Sequence, residues 1–410
     1  MGEPKPRPPS IEAMGGRDRE HDHGRRYAGG PDPTSVREER QPPEDEPTEV
    51  APDIIRIQLP ISLPGLGHVN CYALPDDHGV TLVDPGLPGP QAWKELKTRL
   101  GRADIPVERV HTVVVTHSHP DHFGQAGRLL DLNGAKVVTH RYFRTFFDPD
   151  EEPDEITLDD AAPRNAQVGT YTESIGSAQP ARRPWGGPMP WGDESSAGST
   201  GGRLRGGPKG PGRPPLKRRL QYRMMRLLGG RMGAVPRPTH RVDDADRLEL
   251  GGRSWVSLHT PGHTNDHLCL FDPEAGILLS GDHVLPTITP HISGVGPIVD
   301  PLTEFFRSLE RVAELDGAAT VLPAHGLEFT DLSGRSLAIR QHHEERLQRL
   351  RDASAEVGWT TVPEYSKRLF PERSLGQMAD SETYAHLEHL RLTGEAKVRD
   401  DGADLLYLID

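Results

Sequence analysis

THSHPDH at residues 116–122 is the most informative stretch of this chain. It directly follows VVV at residues 113–115, an apolar run that predicts a buried strand opening into a loop. Two imidazoles two positions apart at such a turn can reach one metal ion, while Asp121 and His122 face a second position nearby. Three histidines and one aspartate within six positions therefore indicate a metal-binding loop rather than a solvated histidine-rich tract.

Four other segments each place a possible metal ligand at the end of an apolar, strand-like run. They are VTLVDPG at residues 80–86 with Asp84, TPGHT at 260–264 with His263, SGDH at 280–283 with Asp282, and PAHG at 323–326 with His325. Side chains that follow the strands of a sheet can converge at one of its edges. The five segments together therefore predict one shared site.

The order and spacing of these segments resemble the metallo-β-lactamase superfamily, whose five motifs are an aspartate, H-x-H-x-D-H, a histidine, an aspartate and a final histidine. The resemblance covers about residues 53–330. It implies an α/β fold, the αββα sandwich, in which two β-sheets pack face to face with helices outside. The apolar spacing at Trp93, Leu96 and Leu100, and again over residues 302–312, predicts two of these helices.

The resemblance also implies how two divalent metal ions would be bound. The first would be held by His117, His119 and His263, the second by Asp121, His122 and His325, and Asp282 would bridge them. Asp121 and Asp282 would then be the catalytic carboxylates. Asp84 is expected to accept the remaining N–H of a ligand imidazole, or to form a turn before Pro85. Ligands without a thiolate suit zinc, with iron or manganese as substitutes.

Such a metal pair lowers the pKa of a shared water, so that a metal-bridged hydroxide is available near neutral pH. Asp282 stands where zinc-thiolate lactamases have cysteine, and the pattern looks like the lactamase-like-2 and glyoxalase II-like branches. These branches act on thioesters, on other esters or lactones, and in some members on single-stranded RNA. We therefore expect hydrolysis of an acyl thioester or related carboxylic ester, with single-strand endoribonuclease activity as the alternative. The complete ligand set argues against a non-catalytic binding module.

Several other residues near the motifs have expected roles. His267, in the segment TNDH at residues 264–267, is the best candidate among them to contact substrate, and a structural role is its alternative. Structural roles are expected for His140, His259, His283 and His291. Cys71 and Cys269 lie in no nucleophile motif and are expected to be small apolar core residues on strands. Two cysteines in 410 residues fit a reducing cytoplasm better than a disulfide scaffold.

The composition predicts three regions. The 44 glycines and 40 prolines concentrate before about residue 50 and between about 160 and 240. We predict a disordered tail over residues 1–50, whose removal leaves catalysis nearly unchanged. A metallo-β-lactamase domain follows over 51–334, with a low-complexity basic insertion at about 160–240. A linker helix and a small winged-helix-like domain are predicted over 335–410.

Within the last region, the sequence predicts a helix from Thr361 to about Phe370 and a second from Ser381, as its N-cap, to Leu392. A hairpin over residues 396–409 completes the unit. Acidic side chains on the second helix and the hairpin oppose the phosphate neutralisation that DNA binding needs. We therefore expect no DNA partner, and a packing or pocket-completing role for this unit.

Charge and hydropathy limit the remaining partners. The net charge of −13 disfavours a surface that coats nucleic acid, and the lack of about 18 consecutive apolar residues predicts no membrane span. With the cysteine count, we expect a cytoplasmic protein. A basic amphipathic helix is predicted at residues 216–228, either as part of a solvated insertion or as an anion-attracting arm. Such an arm would suit coenzyme A phosphates or RNA equally. A small-molecule acyl substrate is preferred, since aromatics for stacking RNA bases are only 5% of the chain.

Overall fold

The computed structural model describes residues 37–63, 65–145, 236–400 and 404–410. Residues 1–36 of the predicted tail therefore lie outside the described residues. Most of the predicted basic insertion, with its amphipathic helix at 216–228, also lies outside them. Within the described ranges, no helix is both long and apolar enough to cross a bilayer.

The first β-sheet has seven strands, which lie side by side in the order of the sequence. They are β1 (Thr48–Ala51), β2 (Ile54–Leu63), β3 (Leu66–Asp76), β4 (Gly79–Val83), β5 (Val110–Val114), β6 (Lys136–His140) and β7 (His240–Val242). Strands β1 to β4 pair antiparallel, whereas β4 to β7 run parallel. The carboxyl ends of β4, β5 and β6 consequently meet at one edge of the sheet.

The second β-sheet has five strands in the spatial order β12-β11-β10-β9-β8. They are β8 (Arg247–Leu250), β9 (Arg253–His259), β10 (Leu268–Asp272), β11 (Ile277–Gly281) and β12 (Thr320–Pro323). Only β11 and β12 are parallel to each other in this sheet. Their carboxyl ends therefore also lie together.

The two sheets pack face to face through a buried apolar layer. The first sheet contributes Tyr72 and Val114 to this layer, and the second contributes Trp255 and Leu279. In the described part of the chain, four helices flank the sheets, namely α1 (Pro90–Arg102), α2 (Pro120–Phe123), α3 (Ala126–Asn133) and α4 (Pro301–Ala313). The predicted helical residues Trp93, Leu96 and Leu100 are buried on α1, against the outer face of the first sheet. The αββα arrangement is thus confirmed.

The predicted disordered tail is wrong for residues 37–50, because this segment belongs to the fold. A 3-10 helix at Glu38–Arg40 precedes β1, which pairs with β2. The carboxylate of Glu39 is fully buried and accepts hydrogen bonds from Thr287 N (2.7 Å), Thr287 Oγ1 and Ile288 N (3.0 Å). The charged composition of this segment indicated disorder. Its order depends on contacts with distant residues, such as the three donors to the buried Glu39 carboxylate, and such contacts leave no periodic pattern in the sequence.

The C-terminal residues form helices and a small sheet. They are α5 (Leu332–Val357), β13 (Thr360–Thr361), α6 (Val362–Leu369), α7 (Gln377–Leu392), β14 (Ala396–Asp400) and β15 (Leu405–Ile409), with sheet order β13-β15-β14. The predicted N-cap at Ser381 is wrong, because α7 begins four residues earlier and Gly376 is its N-cap. The strands of the predicted hairpin are present, although its turn, predicted at residues 400–402, lies outside the described residues from 401 onward. Its classification as a winged helix stays a prediction.

One hydrophobic cluster joins the C-terminal unit to the second sheet. Leu258 and Phe305 from the sandwich lie in the same buried cluster as Leu347, Tyr365 and Tyr407. The cluster crosses residue 334, where the sequence predicts a domain boundary. The sandwich and the C-terminal unit therefore share a core.

The shared core also buries a histidine pair between α5 and α7. Nδ1 of His343 and Nε2 of His386 lie 3.1 Å apart, and Nδ1 of His386 donates to the carbonyl of Glu382 (2.7 Å). Nε2 of His386 must therefore accept from His343. Burial lowers the pKa of His386 to about 4, which leaves its Nε2 atom the lone pair that accepts the hydrogen bond from His343.

We predict that this pair makes the protein sensitive to acid. The unfolded chain protonates His386 near pH 6.5 and the folded protein only near pH 4, so stability is complete above pH 6.5 and is lost as the pH falls. The loss of unfolding free energy between these pH values is at most about 3 kcal/mol. Urea titrations of wild type and His386→Gln should show a shallower pH slope for the variant. The exposed His240→Gln variant should keep the wild-type slope, and identical slopes for all three proteins would contradict the prediction.

We predict opposite results for two N-terminal truncations. Removing residues 1–36 keeps every contact described above for Glu39 and β1 and should change the free energy of unfolding by less than about 1 kcal/mol. Removing residues 1–51 leaves the buried N–H groups of Thr287 and Ile288 without their acceptor. This truncation should cost at least about 3 kcal/mol. Denaturant unfolding measures both, and equal stability of the two truncated proteins would show that Glu39 and β1 are dispensable.

Candidate metal centre

The ends of neighbouring strands bring the predicted ligands together. Asp84 follows β4 and His117 follows β5 in the first sheet, while Asp282 follows β11 and His325 follows β12 in the second. His263 lies on the connection between β9 and β10. Because the two sheets pack face to face, these loops meet at one edge of the sandwich.

A first group of ligand atoms converges on one point. Nε2 of His117 lies 2.9 Å from Nδ1 of His119, which lies 3.1 Å from Nε2 of His263. Asp282 approaches the same point, with its Oδ2 atom 3.5 Å from Nε2 of His263. These four residues form a group that could hold one metal ion.

A second group lies beside the first. Asp121 Oδ2 is 3.6 Å from Nε2 of both His122 and His325. Asp282 reaches this group too, since its Oδ1 atom lies 3.2 Å from Nε2 of His325 and its Oδ2 atom lies 3.7 Å from Nε2 of His122. The predicted partition of ligands is thus matched by the geometry, with Asp282 between the two groups.

Hydrogen bonds behind the imidazoles hold their Nε2 atoms toward these points. The Nδ1 groups of His122, His263 and His325 donate to Asp84 Oδ2 (2.8 Å), the His291 carbonyl (2.7 Å) and the His68 carbonyl (2.6 Å). A histidine that donates through Nδ1 offers the lone pair of Nε2 to a cation. Each ring is therefore fixed in the tautomer that a metal ligand needs.

The predicted role of Asp84 as support for a ligand matches its contacts. Its carboxylate accepts hydrogen bonds from the N–H (2.9 Å) and the hydroxyl (2.8 Å) of Thr116, as well as from His122. The Thr116 oxygen in turn lies 3.1 Å from Nδ1 of His117. Asp84 thereby connects one ligand of each group. Its positive φ of 56° also gives it the turn-forming role.

Buried atoms without partners show that the residues suit a cation. Nε2 of His122, Nε2 of His325 and Oδ1 of Asp282 are buried without a hydrogen bond. Burial lowers the pKa of His117 and His119 well below the ordinary value, which leaves both rings neutral. Burial also lowers the pKa of His122, but the nearby aspartates, led by Asp84, raise it by more, to about 10. The charge that attracts a proton there would equally attract a metal cation.

His267 does not lie where the sequence predicted. It is fully buried, its Nε2 atom accepts from the N–H of Asp282 (3.0 Å), and its Nδ1 atom faces Thr260 Oγ1 (2.8 Å). Its ring also explains Gly281, where a Cβ would lie 2.7 Å from His267 Nε2 at a φ of +51°. The prediction of a substrate contact is therefore wrong, and His267 instead holds the backbone that presents Asp282.

Its neighbours in the same segment line the cavity beside the first ligand group. This cavity has a volume of about 420 Å³, and its lining includes Thr264, Asn265 and Asp266. Asp266 is buried, which raises its pKa to about 6, and it accepts a hydrogen bond from the Ser118 hydroxyl (3.0 Å) between two ligands. The sequence therefore indicated the right segment but the wrong residue in it. The one signal for Asp266 was that neighbouring residues in an extended segment point in opposite directions, so that Asp266 faces the cavity when His267 faces the core.

The other residues near the motifs have structural contacts. His140 and His259 stack with ring centres 3.9 Å apart, and the His283 ring meets the edge of Phe305. His291 supports His263 through its carbonyl. The expectation that the cysteines are core residues is confirmed by the complete burial of Cys71 on β3 and Cys269 on β10.

A sequence profile of the Metallo-beta-lactamase superfamily matches residues 64–325, which contain all the ligands described above. The chain belongs to this superfamily. It is therefore a metallo-β-lactamase-fold hydrolase, with histidine and aspartate groups that could bind metal ions. The crystal structure of a metallo-beta-lactamase family protein from Thermus thermophilus is similar to it, with a TM-score of 0.63 and 26% identity. That similarity covers 88% of this chain and 100% of the other.

Curated relatives are similar over different lengths. The probable metallo-hydrolase YqjP of Bacillus subtilis is 24% identical over 358 residues, covering 82% of this chain and 92% of that protein. The atrochrysone carboxyl ACP thioesterase AacuM of Aspergillus aculeatus is 27% identical over 140 residues, covering 34% of this chain and 38% of that protein. Several relatives that are 31 to 33% identical match over only 30 to 42% of their own length. Similarity over such short stretches does not identify a substrate, so the residues of the site are the better guide to it.

We predict that Asp84→Asn weakens metal binding. Asparagine tolerates the positive φ at this position but removes the negative charge behind His122. Loss of such a supporting carboxylate typically reduces metal affinity by about 10- to 100-fold. Chelator competition with zinc measures the change. Asp76→Asn is the matched control, because Asp76 pairs with His111 far from the ligands; unchanged zinc affinity in Asp84→Asn would remove its assigned role.

Proposed function

We propose that this enzyme hydrolyses an acyl thioester or a related carboxylic ester with two divalent metal ions, for which zinc is our choice. We also propose that it lies in the lactamase-like-2 or glyoxalase II-like branch and acts on a small-molecule substrate in the cytoplasm. The observation that carries the proposal is the cavity beside His119 and His263, which has one apolar and one polar side.

The apolar side of the cavity suits an acyl group. It is formed by Val295, Pro297, Ile298 and Pro301. Burial of apolar substrate surface against these side chains would favour binding and exclude water from one side of the reacting carbon. AacuM, by its name, acts on a thioester of an acyl carrier protein, which supports the same class of substrate here.

The polar side of the cavity suits the leaving group and the reacting carbonyl. Ser118, Asn265 and Tyr142 supply hydrogen-bonding groups, and Arg144 brings positive charge to the lining. A cationic side chain matches the anionic thiol carriers, coenzyme A and glutathione. Bound metal ions would supply hydroxide from water near neutral pH and polarise the carbonyl. His267 holds the backbone of Asp282, so that the Asp282 carboxylate lies between the two ligand groups and can contribute to both.

The competing function, cleavage of single-stranded RNA, has weaker support from the described residues. Proteins that hold single strands stack bases on aromatic rings. Apart from histidines, Tyr142 is the aromatic side chain in the described lining of the cavity. The positive charge of Arg144 would suit a phosphate as well as a thiol carrier, so charge alone does not separate the two functions.

The test is turnover by the zinc-loaded protein on acyl-coenzyme A, acyl-glutathione and a single-stranded RNA. We predict thioester cleavage, with turnover falling on the order of 100-fold or more in Asp121→Ala because the second ion loses a ligand. Asp131→Ala, which removes a surface aspartate paired with Arg237, should keep wild-type turnover.

Three results would contradict this assignment. RNA cleavage that is lost in Asp121→Ala, with thioesters untouched, would replace the thioesterase by a ribonuclease. Full thioester turnover in Asp121→Ala would exclude a dinuclear mechanism. A protein that binds zinc yet cleaves none of the three substrates would reject both substrate classes.

A further inference from the structure

Residues 291–298 precede α4 and supply most of the apolar lining of the cavity; we call them the pocket wall. Ser293, Val295, Pro297 and Ile298 line the cavity from this segment. The wall is not part of either sheet, so other contacts must determine its position. Those contacts come largely from α7 of the C-terminal unit.

The wall packs directly on the first half of α7. The hydroxyls of Ser293 and Ser381 lie 3.1 Å apart, and the N–H of Gly294 donates to the Ser381 carbonyl (3.2 Å). A Cβ at Gly294 would lie 2.6 Å from Tyr384 Cδ1 and 2.7 Å from the backbone nitrogen of Ala385. Glycine therefore allows the wall to touch the helix backbone, and α7 fixes its position.

The wall begins at His291, which contacts the metal centre and α7 at once. Its carbonyl accepts the hydrogen bond from Nδ1 of the ligand His263 (2.7 Å). Its own Nδ1 atom faces Oε2 of Glu382 on α7 at 3.4 Å. His291 thereby joins a helix of the C-terminal unit to a ligand of the first group.

Glu382 is itself held in place from the other side. It is buried, and its Oε1 atom accepts a hydrogen bond from Arg346 on α5. Burial raises the pKa of the Glu382 carboxyl, but the Arg346 guanidinium and His291 lower it by more, so that it stays below the ordinary value. Glu382 is therefore an ionised group at a fixed position.

We propose that Glu382 is a positioning residue for the ligand His263, and that it acts through His291. Arg346 fixes the Glu382 carboxylate, the carboxylate orients the His291 ring, and the His291 carbonyl holds His263 with Nε2 toward the first ligand group. This inference rests on metal binding at the site and is independent of the substrate in the proposed function.

The test compares Glu382→Gln with Glu388→Gln. Glu388 is a matched control, because it lies on the same helix, is buried, and accepts from Arg391 (2.7 Å) and the Tyr407 hydroxyl (2.5 Å) away from the wall. We expect Glu382→Gln to weaken binding of one of two zinc ions about 10-fold by chelator competition. It should also change the visible spectrum of the cobalt-loaded protein.

A second measurement needs no metal. Hydrogen exchange in the metal-free protein should become faster across residues 291–298 in Glu382→Gln, including at the Gly294 amide, and stay at the wild-type rate in Glu388→Gln. Each variant replaces one buried carboxylate that is paired with an arginine, so a general loss of stability would affect both variants alike. Equal changes in zinc affinity and exchange in the two variants would overturn the proposal.

A variant on the other side of the contact keeps the test decisive if Glu382→Gln does not fold. His291→Ala removes the partly exposed ring but retains the carbonyl that supports His263. It should weaken zinc binding to the same extent, and the double variant should be no weaker than either single one, because both changes break one contact. Wild-type zinc affinity in His291→Ala, or additive losses in the double variant, would refute the link.

Discussion

The metal centre depends on the orientation of imidazoles inside a buried site. A buried histidine can present either nitrogen, and only an acceptor behind the ring decides which one faces inward. Here a carboxylate and two backbone carbonyls accept from His122, His263 and His325. Any change that moves these acceptors also moves the ligands. The surrounding structure can therefore be understood as support for three hydrogen-bond acceptors.

Each acceptor is held by a different part of the chain. Asp84 ends β4 and is fixed by Thr116 of the neighbouring strand connection. The His68 carbonyl lies on β3, and the His68 ring is held by the backbone of Gln41 in the N-terminal segment. The His291 carbonyl leads into the pocket wall, which rests on α7. Segments from both ends of the described chain thus stabilise a centre built from the strands between them.

The sequence predicted best what depends on local order. Ligands that follow strand ends, such as His117 and Asp282, could be found because each strand has an apolar run and each motif has fixed spacing. Contacts between distant segments could not be predicted, because they leave no local pattern in the sequence. Glu39 finds its donors 248 residues away, and Ser381 serves the pocket wall rather than a helix end. The substrate role predicted for His267 was wrong for the same reason, since its Nε2 atom accepts from the backbone of Asp282, 15 residues further along the chain.

The hydrophobic cluster shared by the sandwich and the C-terminal unit limits how this architecture can be recombined. Phe305, whose ring centre lies 5.5 Å from that of His343 on α5, would lose this contact if the chain were cut after residue 334, and the buried cluster around Leu347 and Tyr365 would be divided. An exchange of C-terminal units between relatives would therefore succeed only if the facing side chains on α4 were exchanged as well. A functional chimera would therefore have to take both sides of the interface from the same parent protein.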